Sequence, residues 1–261
     1  MDLLEKTIKA AIEAGRAIKE LYDGGNIETQ LKEDRSPVTN ADLESNNIIN
    51  GYLSKTSIPV LSEENITIPY RERKSWDEFW LVDPLDGTKE FLKRNGEFTV
   101  NIALINESMP VLGVIYAPVT GEVYFGSSDK GSFKTMVKES GNDIKAIIDR
   151  AEKLSPAKVS PINRVAVSRS HMNEATENYI RARSATTGKT LLVSRGSSLK
   201  ICLVAEGAAT YYPRFGPTME WDTAAGHAIL RYAGKSMRRI DNGEELKYNK
   251  ENLLNPDFIA E

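Results

Sequence analysis

Residues 80–91 read Trp80-Leu81-Val82-Asp83-Pro84-Leu85-Asp86-Gly87-Thr88-Lys89-Glu90-Phe91. The apolar run that begins at Phe79 predicts a strand over 79–82, ending in two acids that bracket a Pro-Leu pair. Acids at the end of a strand lie at a sheet edge, where ligands commonly bind. Pro84 stiffens the chain there, and Gly87 lets backbone approach a ligand closely. A helix starting near Thr88 would leave N–H groups free to hold a phosphate. Two carboxylates this close repel each other, and a hard divalent cation, Mg²⁺ above all, relieves the repulsion. Asp and Gly are also ordinary turn residues. Spacing alone leaves a cation site and a capped turn equally open.

Three other acidic segments raise the same question. Ser62-Glu63-Glu64 follows a predicted strand at 58–61. Trp221-Asp222-Thr223-Ala224-Ala225-Gly226 places an acid where a helix starts, ahead of small residues that permit close packing. Asp42 follows Val38-Thr39-Asn40-Ala41 near another helix start. Taken singly, each reads as an acidic turn or a helix cap. Several familiar chemistries are missing. Gly188-Lys189-Thr190 lacks the upstream glycine of a P-loop, since Arg183 occupies that position. There is no Gly-x-Gly-x-x-Gly, Gly-x-Ser-x-Gly or Cys-x-x-Cys. His227, on an otherwise apolar helix, reads as a packed core histidine. His171, in a polar loop after a strand, reads as either a phosphate contact or an exposed side chain.

The totals narrow the field. With 261 residues there is ample chain for a core, and 40% hydrophobic with 27% charged residues is ordinary soluble composition. A net charge of −3, from 34 basic and 37 acidic residues, supplies no global field for nucleic acid or an anionic membrane. A single cysteine, Cys202, excludes an intrachain disulfide, and two histidines make a zinc site a poor fit. The N-terminal residues lack a signal-peptide layout, and no apolar run approaches ~18 residues. The expectation is a cytoplasmic protein with no integral membrane segment and no nucleic-acid partner. Peripheral attachment to the inner membrane is compatible with it, and the oligomeric state is not legible.

Leu4, Ile8, Ala11, Ile12, Ile18 and Leu21 recur at helical spacing, which predicts a helix over 2–22 that ends at Asp23-Gly24-Gly25. A second helix carries Leu43, Ile48, Ile49 and Leu53. Strands are expected at 100–105, 111–116 and 122–125, with Gly121 in a turn. Residues 127–160 read as a polar surface excursion with one helix around Ile144, Ile147, Ile148, Ala151 and Leu154. Beyond it strands at 165–167, 191–193 and 209–212 alternate with helices at 172–182, 197–206 and 222–233. The division expected is 1–134, helices plus antiparallel sheet with most of the acids, and 135–261, an α/β half.

Taken together, Glu63-Glu64, Asp83-Pro84-Leu85-Asp86-Gly87-Thr88 and Trp221-Asp222-Thr223-Ala224-Ala225-Gly226, in that order and at suitable intervals, carry a resemblance. The chain resembles the inositol monophosphatase superfamily of metal-dependent, lithium-sensitive phosphatases over nearly its whole length, least over 127–160. Within it the chain is most similar to the bacterial 3'(2'),5'-bisphosphate nucleotidases. Lys89-Glu90-Phe91, Gly196-Ser197-Ser198-Leu199-Lys200 and the run from Tyr212 to Asp222 carry that closer likeness. The simpler inositol phosphatases usually have Thr-Asn-Phe in place of Lys89-Glu90-Phe91.

The resemblance implies an α/β (α+β) fold, a layered α/β/α/β/α sandwich. It also implies hydrolysis of 3'-phosphoadenosine 5'-phosphate, the by-product of sulfate activation and sulfo-transfer, to AMP and phosphate. Two or three Mg²⁺ per active site are implied: Glu63, Asp83 and the Leu85 carbonyl hold one, and Asp83, Asp86 and Asp222 hold a second. Thr88 would hydrogen-bond an attacking water held on the metal, and Asp42 would orient Thr88 or take the proton. Glu63 counts with these as catalytic, and Glu64 would support the ligands from behind. The substrate would meet Glu63, Leu85, Gly87, Thr88, His171, Ser197, Lys200, Arg214 and Asp222. Lys200 and Arg214 fall to the remote 5'-phosphate or ribose, although Lys200 also fits a solvated helix face. The competing readings are an inositol or fructose-bisphosphate phosphatase and a non-catalytic Mg²⁺ or nucleotide sensor. The complete acidic set with Thr88 argues against the sensor.

Overall fold

The computed structural model describes residues 2–25, 27–31, 37–65, 68–138, 143–155, 162–168 and 172–261. In chain order the elements are α1 (Leu3–Gly24), β1 (Thr29–Leu31), β2 (Pro37–Thr39), α2 (Asn40–Leu53), β3 (Val60–Ser62), α3 (Tyr70–Arg73), β4 (Glu78–Asp86), α4 (Thr88–Leu92), β5 (Thr99–Asn106), β6 (Met109–Ala117), β7 (Glu122–Ser127), β8 (Gly131–Met136), α5 (Ile144–Asp149) and β9 (Glu152–Lys153). There follow β10 (Asn163–Val167), α6 (Glu174–Thr187), β11 (Thr190–Ser194), α7 (Leu199–Ala205), β12 (Tyr212–Arg214), α8 (Glu220–Tyr232), β13 (Met237–Arg239) and β14 (Phe258–Ala260).

Strands β3 to β9 form one seven-stranded sheet in sequential order; β3 and β4 are parallel and every other pair is antiparallel. Side chains alternate across it. Trp80, Val82, Val100, Ile102 and Leu104 enter a core shared with α1 and α2. Phe79, Leu81, Ala103 and Ile105 enter a second core shared with α7 and α8. Behind α7 lie the parallel pair β10–β11 and the small sheet β12-β14-β13, with α6 outermost. The order is helix, sheet, helix, sheet, helix, the layered α/β arrangement expected.

The expected stripe on the first helix is buried except for Leu21, which is half-buried, and the helix starts at the Asp2 cap and ends at Gly25, which takes the left-handed conformation. Helix α8 reaches the sheet through its small residues. A Cβ at Gly113 would lie 2.3 Å from the Ala225 carbonyl oxygen, and one at Gly226 would lie 2.9 Å from Ile201. Only such residues let α8 fit between the sheet and α7. His227 is the packed core residue expected: Nδ1 pairs with the Tyr248 hydroxyl at 3.0 Å and Nε2 with Glu245 at 3.1 Å. Burial lowers its pKa, against the opposing pull of Glu245.

Three expectations are corrected. The strand expected to end at Val82 continues to Asp86. The excursion at 127–160 contributes β8 and β9 to the main sheet. The last predicted strand lies at Tyr212–Arg214, three residues later than its expected start at 209.

Candidate active site

The extension of β4 decides where its two acids point. Residues three apart on a regular strand face opposite sides of a sheet. Here Asp83 pairs with Asn101 and Asp86 with Thr99, so three residues of β4 span two of β5. The surplus residue is taken up in a bulge at Pro84-Leu85. Thr99 and Asn101 share one face of β5, so both acids are turned to that face. Leu85 packs into the core on the α1–α2 side. Ser45 of α2 donates to the Pro84 carbonyl at 2.7 Å, and Leu85 N–H donates to Asp83 Oδ1 at 3.0 Å. Both bonds brace the bulge.

Around it the other acids gather. Ser62 is the last residue of β3 in register with β4, opposite Val82, so Glu63 stands alongside Asp83 at the start of a 3-10 turn, Glu63–Asn65. Glu64 N–H donates to the Ser62 hydroxyl at 3.4 Å. Asp222 is in the first turn of α8, where its Oδ2 accepts from Met219 N–H at 2.8 Å. That turn is anchored by Glu220, which is 0% exposed and accepts from Asn249 N–H (2.7 Å), Lys250 N–H (2.9 Å) and Lys250 Nζ (2.6 Å). Asp42 belongs to a capping box at the start of α2: its Oδ2 accepts from the Thr39 N–H at 2.8 Å and the Thr39 hydroxyl at 2.5 Å. Its Oδ1 accepts from the Thr88 hydroxyl at 3.2 Å.

The electrostatics follow from this crowding. Asp83 is 1% exposed, and its pKa stands well above the carboxylate range, through burial first and then the charges of Glu63, Asp86, Asp222 and Asp42. Asp222 is raised likewise by burial, Asp86 and Glu63, against the Met219 N–H and Arg214. Burial and Glu63 raise Asp42, against its bonds from Thr39 and Thr88. Among the described residues, no lysine or arginine forms an ion pair with Asp83, Asp86 or Asp222. Nor do any three His, Cys, Asp or Glu side chains there stand ready-made as a metal cage. The donor set is nonetheless all oxygen and mutually repelling, which is the chemistry a hard divalent cation satisfies.

A cleft of about 130 Å³ opens beside Asp86, Gly87 and Asp222, and Ser197, Lys200 and Arg214 line it too. Gly87 has φ 95°, the left-handed conformation that favours glycine, and turns the chain from β4 into α4. The solvated reading of Lys200 is overturned. It is 6% exposed, and its Nζ donates to the carbonyls of Ser197 (2.6 Å) and Arg195 (3.4 Å). Burial brings its pKa down to about 8; Asp86 opposes that and Arg214 reinforces it. Arg214 is half-buried, with Nη2 donating to the Pro217 carbonyl at 3.0 Å and a buried Nε that has no acceptor. The Ser197 hydroxyl is engaged with Asp86 at 2.5 Å. His171 lies outside the described residues.

Sequence reasoning missed several residues here. Glu90, Ser168, Tyr212, Thr218 and Phe258 also line the cleft. Thr39 carries a readable signal, the Thr-x-x-Asp spacing of a capping box. Thr99 and Asn101 are polar residues two apart on a strand that is otherwise apolar up to Ile105, a pattern that marks one face of its end.

With this fold and a carboxylate-lined cleft on the page, the comparison with known proteins is direct. The inositol monophosphatase family model matches residues 2–260, and the chain belongs to that family. It is 45% identical over 260 residues to the 3'(2'),5'-bisphosphate nucleotidase CysQ of Salmonella typhimurium and 44% identical to that of Escherichia coli K12, covering 98% of each chain in both pairs. The crystal structure of CysQ from Bacteroides thetaiotaomicron, at 46% identity, superposes with a TM-score of 0.87 and covers 98% of this chain and 95% of that one. A suhB structure from Bartonella henselae, at 26% identity, gives 0.74 over 98% and 92%.

Proposed function

We propose that this enzyme hydrolyses the 3'-phosphate of 3'-phosphoadenosine 5'-phosphate to AMP and phosphate, with Mg²⁺ as cofactor. The observation that carries the reading is one arrangement: the Asp42–Thr88 pair stands beside the acids of the β4 bulge, and Lys200 and Arg214 line the cleft next to Asp86. The full-length likeness to bisphosphate nucleotidases supports the substrate class.

Glu63, Asp83, the Leu85 carbonyl, Asp86 and Asp222 would hold two or three Mg²⁺. Bound there, Mg²⁺ would offset the charge of the acids and of the phosphate, and stabilise the attacking and leaving oxygens. The chain's own groups do the rest. The Thr88 hydroxyl donates to Asp42, so its lone pairs are left to accept from a water molecule. Proton flow then runs from water to Thr88 to Asp42. The Thr39 bonds hold the carboxylate still, and burial shifts its pKa towards the range a general base needs. The N–H groups of Gly87 and Thr88, at the free start of α4, would hold phosphate oxygens. Such positioning and charge stabilisation is most of what phosphoryl transfer asks of a protein.

Arg214 and Lys200 would meet the remote 5'-phosphate. Both present cationic donors to the cleft, and the Arg214 Nε lacks an acceptor. Lithium would inhibit, since Li⁺ is near Mg²⁺ in size with half its charge; a rate equal in lithium and potassium counts against this. The reaction belongs in the cytoplasm on this reading. Among the described residues no helix is long and apolar enough to cross a membrane. Phosphate release from bisphosphate nucleotides, inositol phosphates and sugar bisphosphates, with and without Mg²⁺, tests the assignment.

A further inference from the structure

The two oxygens of Asp86 are not equivalent. Oδ2 takes three donors: the Ser197 hydroxyl at 2.5 Å, Ser198 N–H at 2.7 Å and Asn101 Nδ2 at 3.3 Å. Oδ1 takes none among the described residues. Behind the donors lies a buried cluster centred on Thr99. Its hydroxyl is 2.7 Å from Ser197 Oγ, 2.8 Å from Ser198 Oγ and 2.9 Å from Asn101 Oδ1, and Ser198 Oγ is 3.0 Å from Asn101 Oδ1.

Counting protons fixes the end of this network at Asp86. An ionised carboxylate only accepts, so the single hydroxyl proton of Ser197 is committed to Asp86. Thr99 has one hydroxyl proton and two acceptors for it beside these donors, Asn101 Oδ1 and Ser197 Oγ. The Ser198 hydroxyl lies within reach of the same Asn101 oxygen and of Thr99 Oγ1. Hydroxyl dipoles aligned in series strengthen one another in a low-dielectric interior. Thr99 therefore braces both side chains that donate to Oδ2, Ser197 and Asn101, and Ser197 itself has a left-handed backbone, φ 53°.

We propose that Thr99 is a positioning residue for the cation site: it braces Ser197 and Asn101, whose donors saturate Oδ2 of Asp86, and so leaves Oδ1 alone facing the cation. The inference rests on the reading of Asp86 as a Mg²⁺ ligand. Groups that orient metal ligands from behind typically cost about 10–100-fold in metal affinity when removed.

The test is Mg²⁺ binding to the purified protein by calorimetry, with Mn²⁺ paramagnetic resonance as a second readout, on wild type, Thr99→Val, Thr99→Ser and Asn101→Ala. Valine keeps the shape of threonine and removes the hydroxyl; serine keeps the hydroxyl. The expected result is affinity about 10–100-fold weaker for Thr99→Val, restored by Thr99→Ser, and weakened for Asn101→Ala. In turnover, Thr99→Val should raise the Mg²⁺ concentration needed for half-maximal rate, with kcat recovering at saturation. If Thr99→Val does not fold, Asn101→Ala carries the decision: wild-type affinity in that variant overturns the proposal. So does wild-type affinity in Thr99→Val, or a serine variant as weak as the valine one, which would mark a role in packing only. Wild-type protein that binds no Mg²⁺ overturns the metal reading itself and this inference with it.

Discussion

The hydroxyl of Thr88 donates to Asp42 Oδ1 at 3.2 Å, joining the first residue of α4 to the first turn of α2, 46 positions earlier in the chain. A group that orients water acts in the transition state and not in substrate binding. Thr88→Ala should lower kcat roughly a hundred- to ten-thousand-fold, the usual range for lost acid–base assistance, with KM nearly unchanged. Thr88→Ser should keep most of the rate. A rise in KM alone would move Thr88 from water activation to substrate binding.

Asp83 is crowded by four other acids. Without Mg²⁺ their repulsion opposes folding, so neutralising Asp83 should stabilise the metal-free protein while ending turnover. Asp83→Asn should melt a few degrees above wild type in chelator, at about 2–4 °C per kcal/mol for a chain of this size. Mg²⁺ should raise the melting temperature of wild type and leave the variant unmoved. Turnover that resists chelator, or a variant that gains stability from Mg²⁺ as wild type does, contradicts the account.

Lys200 gives a pH signature. Its pKa is brought down to about 8 by burial, so the free enzyme loses this ammonium as pH rises through that value. A charge-assisted bond to the remote phosphate is worth roughly 1.5–3 kcal/mol, about ten- to a hundred-fold in kcat/KM. Preference for the bisphosphate nucleotide over 3'-AMP should fall as pH rises from 7 to 9. In Lys200→Ala that preference should be small and flat with pH. Profiles of kcat/KM report groups of the free enzyme and are the measurement to make.

Much of this was legible because local signals and tertiary packing agree. The stripe of the first helix and the paired apolar strands specify their own burial. What was not legible depended on distant partners. Pro84 argues against a continuing strand, yet the strand continues because the Ser45 hydroxyl and the bulge accommodate it. Residues 127–160 read as a polar surface excursion, but Ser132 within them is buried and donates to the Ile229 carbonyl at 2.6 Å. Lys200 is buried because two carbonyls receive its ammonium, and both belong to a turn whose shape its own segment does not announce. The acids were readable as a set through the family likeness; their common orientation comes from a bulge visible only in register.

Gly113 tests how α8 is placed. Alanine there would drive a methyl against the Ala225 carbonyl, 2.3 Å away, and helix backbone cannot yield as a flexible side chain does. Gly113→Ala should cost about 1–3 kcal/mol or more in denaturant unfolding. It should also lower activity, since α8 carries Asp222. A variant with wild-type stability and rate would show that α8 does not depend on this close approach.

The most direct measurement is kcat/KM with Mg²⁺ for 3'-phosphoadenosine 5'-phosphate, 3'-AMP and inositol 1-phosphate, in wild type and Arg214→Ala. Both nucleotides carry the same reacting 3'-phosphate, and only the first has a remote 5'-phosphate for Arg214 and Lys200 to hold. The account predicts that wild type prefers the bisphosphate by about ten- to a hundred-fold over 3'-AMP, with inositol 1-phosphate also well below the bisphosphate. Arg214→Ala should shrink the nucleotide gap while largely sparing 3'-AMP. Equal rates on the two nucleotides, or faster hydrolysis of inositol 1-phosphate, would contradict it.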